Sequence, residues 1–249
     1  MDYYKFESFD ITPLIEQYHG KKLEDLFQNH RIIKNDMGEF IEIIWEEKIS
    51  PKLELFKTKR NMLCNLKIVK FIGEYIESKL NQRGIKNLKD LKYNLTFSNS
   101  AHEILTLIEN KDYMALKSNR NISDLDVSFC FEIEDFLFLD IETLGLFDSP
   151  IIIVGIGFYE NEKFRIHIFF ARELEDEIAI CEHFRTQILP NFKCFISFNG
   201  KTFDLPFLAN RFLYFFDKNP MISDDDEPYE KVNTQLHHID LYHHCRRLY

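Results

Sequence analysis

The stretch Phe136-Leu137-Phe138-Leu139-Asp140-Ile141-Glu142-Thr143 decides the fold class of this 249-residue chain. Its four leading apolar residues show no polar alternation, which is typical of a central strand buried on both faces. Asp140 and Glu142 follow at once, and side chains two apart on a strand leave the same face. Two acids at the carboxyl end of a buried strand stand where open α/β sheets place their ligands.

The segments after this strand predict a mixed α/β sheet with an antiparallel edge, flanked by helices. Residues 151–159 and 163–170 flank a short polar turn and are typical of a hairpin. A helix closed by Pro190, a strand over 194–198, a helix from about Phe203 and a final strand over 238–241 follow in that order. The alternation of strands and helices favours one sheet with helices packed against it.

A third acid lies in Phe198-Asn199-Gly200-Lys201-Thr202-Phe203-Asp204-Leu205-Pro206-Phe207, where the chain leaves a strand, turns at Gly200 and enters a helix. An acid in a first helical turn is commonly a complement to the helix dipole. Two metal ions about 3.5–4 Å apart, however, need several carboxylates from separate elements. Asp140, Glu142 and Asp204 together meet that requirement, and they are the candidate catalytic and metal-binding residues.

Three ordered motifs over about residues 130–249 resemble the DEDD 3′–5′ exonucleases of the ribonuclease H-like superfamily, and their spelling is most similar to the YprB-like branch. The first motif surrounds Asp140 and Glu142, and the second surrounds Asn199, Gly200 and Asp204. The third is the closing segment Ile239-Asp240-Leu241-Tyr242-His243-His244-Cys245-Arg246-Arg247-Leu248-Tyr249. The resemblance places a ribonuclease H-like exonuclease domain at 129–249.

The resemblance implies a two-metal site for Mg²⁺ or Mn²⁺, held by Asp140, Glu142 and Asp204. It also implies hydrolysis of the terminal phosphodiester of a nucleic acid, with a single-stranded 3′ end as the expected partner. Other positions carried over from the motifs would contact the substrate or steady the turn beside it: Thr143, Leu144, Asn199 and Lys201.

One departure from the family pattern leaves the activity open. These enzymes take a fourth carboxylate from a helix after the last strand, and no acid follows Asp240 in this chain. The domain is therefore expected to be truncated at its C-terminus, to be completed by a partner chain, or to have lost catalysis, with Asp240 as a less favoured substitute ligand. The alternative to an exonuclease is a catalytically inactive ribonuclease H-like module that binds nucleic acid or protein.

Charge separates the two halves of the chain. Residues 51–120 hold 14 Lys/Arg and 7 Asp/Glu, a net charge of +7, whereas residues 131–249 hold 11 and 21, a net charge of −10. We predict a mainly helical N-terminal region over 1–125, with a strand-like segment at 39–45. A basic segment can supply phosphate attraction that is independent of base sequence.

Residues 66–91, within the basic window, resemble a helix-hairpin-helix element. Phe71 takes the place of the first glycine of its usual turn, where a bulky side chain could block close approach to the backbone. Packing of two short helices is an equally open interpretation. The candidate phosphate contacts are Lys67, Lys70, Lys79 and Arg83.

Composition adds two expectations about location. Five scattered cysteines without a C-x-x-C pair indicate reduced thiols rather than disulfides or a zinc finger. The longest apolar run, 151–158, is far shorter than the roughly 20 residues of a membrane span, and the first residues lack a signal-peptide pattern. We expect a cytoplasmic protein with no membrane partner.

Overall fold

The computed structural model describes residues 10–49, 55–220 and 236–246, and its seven strands form one sheet. The strands are β1 (His30–Asn35), β2 (Gly38–Glu47), β3 (Phe136–Thr143), β4 (Ile151–Glu160), β5 (Lys163–Phe170), β6 (Cys194–Ser197) and β7 (His237–Asp240). Their order across the sheet is β1-β2-β5-β4-β3-β6-β7. All neighbours from β1 to β3 are antiparallel, and β3, β6 and β7 are parallel. The predicted mixed sheet is confirmed.

The predicted β4–β5 hairpin is also confirmed. Asn161 and Glu162 form its two-residue turn with φ of 52° and 63°. Two left-handed residues in a row give the turn whose twist matches that of antiparallel strands. β4 can therefore run antiparallel to β3 and return directly as β5.

Ten α-helices lie within the described residues. They are α1 (Thr12–Tyr18), α2 (Leu23–Leu26), α3 (Leu55–Cys64), α4 (Glu74–Gln82), α5 (Leu88–Leu91), α6 (Ser98–Glu109), α7 (Tyr113–Lys117), α8 (Glu177–His183), α9 (Asp204–Phe216) and α10 (Leu241–Cys245). None of the helices in these ranges is long and apolar enough to cross a membrane.

The two faces of β3 contact different parts of the molecule. Leu137, Leu139 and Ile141 belong to the main core, together with buried residues of α8 and α9. Phe136 belongs to a second cluster that includes Tyr113 and residues of β6 and β7, so part of the helical N-terminal region packs there. Because side chains alternate along a strand, Asp140 and Glu142 leave β3 on the same side as Phe136.

The helical residues of the N-terminal region have a core of their own. Apolar side chains from α3 to α7 and the segment after α7 are buried together, and the cluster includes Met62, Leu66, Leu80, Leu105 and Val127. Tyr113 and Cys130 pack against both this cluster and the one that contains Phe136. The helical residues are therefore attached to the sheet through shared apolar contacts.

The N-terminal region predicted over 1–125 is helical only in part. The strand expected at 39–45 is present as β2, but it pairs antiparallel with β5 and extends the sheet of the other domain. Glu42 of β2 is buried there, where it accepts one hydrogen bond from Arg31 Nε and pairs with His167 Nδ1 at 2.7 Å. Within the described residues, α1 and α2 come first, the β1–β2 hairpin that follows them belongs to the sheet, and α3 to α7 come after it.

The element predicted over 66–91 also differs from two full helices. Residues Leu66–Ile68 form a single 3₁₀ turn, followed by the nine-residue α4 and the four-residue α5. Gly84 after α4 has φ of +85°, the left-handed conformation that ends a helix and that glycine adopts freely.

Candidate active site

Asp140 and Glu142 lie at the carboxyl end of β3 and are exposed, whereas Leu139 and Ile141 between and before them are buried. The pairing of β3 with β4 becomes irregular between Glu142 and Thr143. The buried alternate residues anchor the strand in the core. The two acids are thus held at one edge of the sheet by a rigid element.

Asp204 reaches this edge from α9, of which it is the first residue. Its side chain is only 4% exposed, and its Oδ1 accepts a hydrogen bond from the backbone N–H of Ile141 at 3.0 Å. Ile141 stands between the two acids of β3 in the chain. The structure therefore brings Asp204 to the position that the sequence predicts.

The surroundings of Asp204 disfavour its charged form. Burial raises the pKa of Asp204; the hydrogen bond from Ile141 opposes the rise, and the negative charge of Asp140 adds to it. Within residues 10–49, 55–220 and 236–246, no Lys, Arg or His side chain forms an ion pair with Asp140, Glu142 or Asp204. A cation bound at this edge would relieve the repulsion between the charges of Asp204 and Asp140.

A tight turn between β6 and α9 positions Asp204. Asn199 has φ of +67°, and the N–H of Gly200 donates to Ser197 Oγ at 3.2 Å. A Cβ at Gly200 would lie 2.3 Å from Ser197 Oγ and 3.3 Å from Asp204 Oδ2. Only glycine fits where the chain passes so close to the end of β6.

Asp240 holds this turn from the neighbouring strand. Its side chain is 1% exposed, and it accepts the N–H groups of Asn199 at 2.8 Å, Lys201 at 3.0 Å and Tyr242 at 3.0 Å. Burial alone would raise the pKa of Asp240, but these three hydrogen bonds outweigh it and the pKa is lowered. Asp240 is thus a structural anchor of the turn, and its role as a substitute ligand stays a prediction.

His238 supports the same turn from β7. Its Nε2 and Ser197 Oγ are hydrogen-bonded at 2.7 Å. Burial is the main reason that the pKa of His238 falls to about 4, and the charge of Lys201 contributes. The imidazole is therefore neutral at pH 7. Sequence reasoning missed both roles, although the spacing of His238 and Asp240 two apart on a strand placed them on one face.

Of the residues predicted to contact the substrate, one has an exposed apolar side chain and the others already make contacts within the protein. Leu144 is exposed beside the acids, whereas Thr143 Oγ1 donates to Gly145 O at 2.7 Å within its own loop. Asn199 uses its backbone to form the turn, and Lys201 pairs with Asp124. The predicted phosphate contacts lie elsewhere, on and beside α4 in the helical region.

A groove that the sequence did not reveal runs between the loop after β3 and α9. It has a volume of about 780 Å³ and is lined by Leu146, Phe147, Phe203, Phe207 and Tyr214, among others. Arg211 also lines it, but its guanidinium is paired with the buried Glu177. The groove is predominantly aromatic and apolar. One of its walls is formed by residues 146–148, just after Leu144, and the other by residues of the segment 202–214, which includes Asp204.

The residues at this edge suit a divalent ion by their chemistry. Carboxylate oxygens are the ligands that Mg²⁺ and Mn²⁺ prefer. Burial raises the pKa of Asp204, and the nearby charge of Asp140 adds to the rise. In the part of the chain that the structure describes, no three or more His, Cys, Asp or Glu side chains are already arranged as a metal site. Any ion would therefore bind with adjustment of the exposed acids.

The core strand order β5-β4-β3-β6-β7, with β4 antiparallel and acids at the end of the central β3, defines a ribonuclease H-like fold. Residues 137–249 match the family model described as the RNase_H superfamily. The match covers just under half of the chain and includes all three acids. No curated protein and no solved structure matches the chain.

Proposed function

We propose that this protein is a metal-dependent 3′–5′ exonuclease of the DEDD type, similar in its motifs to the YprB-like branch. The observation that carries the proposal is the position of Asp204, whose carboxylate accepts the N–H of Ile141, the residue between Asp140 and Glu142 in the chain. Acids from two separate elements converging on one sheet edge are what phosphodiester hydrolysis with divalent ions needs.

Asp140, Glu142 and Asp204 would hold Mg²⁺ or Mn²⁺ ions. Such ions, when bound, lower the pKa of an attacking water and stabilise the departing 3′ oxygen. The backbone of Ile141 fixes the orientation of Asp204, and Asp240 and His238 fix the turn before it. Leu144 and the aromatic groove would receive the terminal base, because apolar and aromatic side chains bind base faces without regard to sequence.

A second candidate function is a ribonuclease H-like module that binds nucleic acid or protein without hydrolysing it. The observation that favours it is that Asp240, the last acid of the chain, is engaged by three backbone N–H groups of the turn and of its own helix start. A partner chain that supplies a fourth carboxylate would reconcile the two candidates.

The test is nucleotide release from a 5′-labelled single-stranded oligonucleotide with Mn²⁺ or Mg²⁺. We expect a ladder that shortens from the 3′ end and is absent in EDTA and in the Asp140→Ala variant. Glu134→Ala, which removes an exposed acid outside the site, is the matched control and is expected to retain full activity. Hydrolysis that survives Asp140→Ala would contradict the site assignment, and metal-independent binding without hydrolysis would favour the second candidate.

A further inference from the structure

Phe71 is a large apolar residue held outward in an unusual backbone conformation. Its φ is +70° and its side chain is 78% exposed, although Val69 and Ile72 on either side of its turn are buried. A left-handed conformation is a genuine outlier for a bulky residue. Because the Phe71 side chain is exposed, burial of its ring does not offset the backbone strain. The turn is anchored in the core, and it presents the aromatic ring to solvent.

Tyr75, in the first turn of α4, continues this exposed aromatic surface. Its side chain is 71% exposed, while Ile72 and Leu80 face the core. Lys79 and Arg83 follow Tyr75 at intervals of four residues, and such spacing places them on one side of a helix. Both are exposed.

Each of the two rings has an ammonium group beside it. Lys70 Nζ lies 5.0 Å from the centre of the Phe71 ring, and Lys79 Nζ lies 4.3 Å from that of Tyr75. We call Lys70, Phe71, Tyr75 and Lys79 the α4 platform. Alternating aromatic rings and lysines provide base-stacking faces next to phosphate-binding charges.

A groove of about 470 Å³ adjoins the α4 platform and adds further positive charge. It lies between residues 67–73 and 119–121, and Lys67 and Arg120 line it. Two side-chain amides fix its shape, because Asn119 Nδ2 donates to Ile68 O at 2.6 Å and Asn121 Nδ2 donates to Lys67 O at 2.7 Å. Opposing charge comes from Glu74, and from Glu77 at 4.0 Å from Lys67 Nζ.

We propose that the α4 platform is a binding site for single-stranded nucleic acid. Phe71 and Tyr75 would stack on unpaired bases, and the lysines, with Lys67, Arg83 and Arg120, would meet the phosphates. A duplex hides its base faces, so the exposed rings of Phe71 and Tyr75 favour a strand whose bases are unpaired. The proposal rests on the proposed function only in taking nucleic acid as the ligand, since it uses none of the carboxylates.

Binding is measured on the full chain in EDTA, so that no hydrolysis occurs, with a fluorescent oligo-dT strand and a duplex of equal length. We expect Phe71→Ala to weaken binding of the single strand on the order of tenfold, and Phe71→Trp to retain it. Phe71→Gly should weaken binding equally while the melting temperature stays the same or rises, because glycine adopts a positive φ without strain. Loss of binding by this variant cannot then be attributed to unfolding.

Tyr93→Ala is the matched control. Tyr93 is 79% exposed and has Lys92 Nζ at 4.9 Å from its ring centre, but it lies after α5 and outside the platform. We expect this variant to bind as the parent chain does. An equal loss of single-strand affinity in Tyr93→Ala and Phe71→Ala would contradict the proposed role of the α4 platform. Duplex binding as tight as single-strand binding would contradict it too.

Comparison with the hydrolysis assay separates this proposal from the exonuclease proposal. Single-strand binding that depends on Phe71 without any metal-dependent hydrolysis would support the platform and contradict the enzyme. Hydrolysis that proceeds while binding is indifferent to Phe71 would contradict the platform and support the enzyme.

Discussion

Asp204 and Asp240 are two buried acids near the carboxyl ends of the neighbouring strands β6 and β7, and their surroundings are opposite. Asp204, after β6, accepts one backbone N–H from Ile141 and lies near the charge of Asp140, and its pKa is raised. Asp240, at the end of β7, accepts three backbone N–H groups, and its pKa is lowered. The comparison teaches that burial alone does not decide the pKa of an acid, because the number of hydrogen-bond donors that face it decides whether the pKa rises or falls.

The largest expected effect is that of Asp204→Asn on nucleotide release. We expect a fall of at least about 100-fold, because even the loss of outer-shell partners of a metal costs 10- to 100-fold. The free energy of unfolding at pH 7 should be unchanged or higher. The pKa of Asp204 is raised by folding, so its contribution to stability is present at low pH and declines as the pH rises through the folded-state pKa. Asparagine removes that decline and keeps an acceptor for the Ile141 N–H.

Urea denaturation with and without Mn²⁺ checks this prediction alongside the nucleotide-release assay. Mn²⁺ should stabilise the parent chain and have less effect on Asp204→Asn, because an ion at free concentration c that binds only the native state stabilises it by RT ln(1 + c/Kd), which falls as the ion binds more weakly. Full activity in Asp204→Asn, or a loss of more than about 1 kcal/mol of stability, would contradict the role assigned to Asp204.

The same substitution at the second acid, Asp240→Asn, should act mainly on stability. We expect the free energy of unfolding to fall by about 2–4 kcal/mol, because an amide NH₂ at the position of Oδ2 would face the Lys201 N–H and leave a buried donor unsatisfied. Since the pKa of Asp240 is lowered, its contribution is present above about pH 4 and disappears as the pH falls through the folded-state pKa. Denaturation curves of both chains at pH 7 and pH 3 should therefore converge at the lower pH.

Gly200→Ala tests the turn that connects the two acids. The added Cβ would lie 2.3 Å from Ser197 Oγ, so we expect a loss of about 1–3 kcal/mol together with reduced activity. Gly155→Ala is the control, because its Cβ would meet Asp140 O at an ordinary 3.6 Å. Equal melting temperatures for the two variants would show that the turn has room that the structure does not indicate.

The smallest effect concerns His238 and pH. A histidine whose folded-state pKa lies below its usual value contributes stability above about pH 6.5 and loses it as the pH falls toward 4. Between pH 7 and pH 5 we expect a loss on the order of 1–2 kcal/mol from this group. His238→Gln should flatten that part of the stability curve, with a remaining slope from the buried His237, whose pKa is also lowered by burial. An identical slope in the variant would exclude His238 as the cause.

Much of the fold and the candidate site could be predicted because the signals are local. The apolar run before Asp140 fixes β3, the alternation along a strand places Asp140 and Glu142 on one side, and the turn at Gly200 brings Asp204 to the same edge. The role of Asp240 could not be predicted, since its three donors come from a loop about 40 residues earlier and from its own helix start. The pairing of β2 with β5 is likewise non-local, because 117 to 129 residues separate the paired positions.

The pairing of β2 with β5 has a practical consequence for preparing the protein. A shortened chain starting at residue 129 would contain every predicted catalytic acid, but β5 would lose β2, one of its two neighbouring strands, and His167 would lose the buried Glu42. Unpaired N–H and C=O groups along a hydrophobic strand recruit other copies of the same chain, so such a fragment should precipitate or form fibres. A fragment that also retains residues 30–47 keeps β2 paired with β5. These residues can be joined to the later strands by a linker in place of the helices.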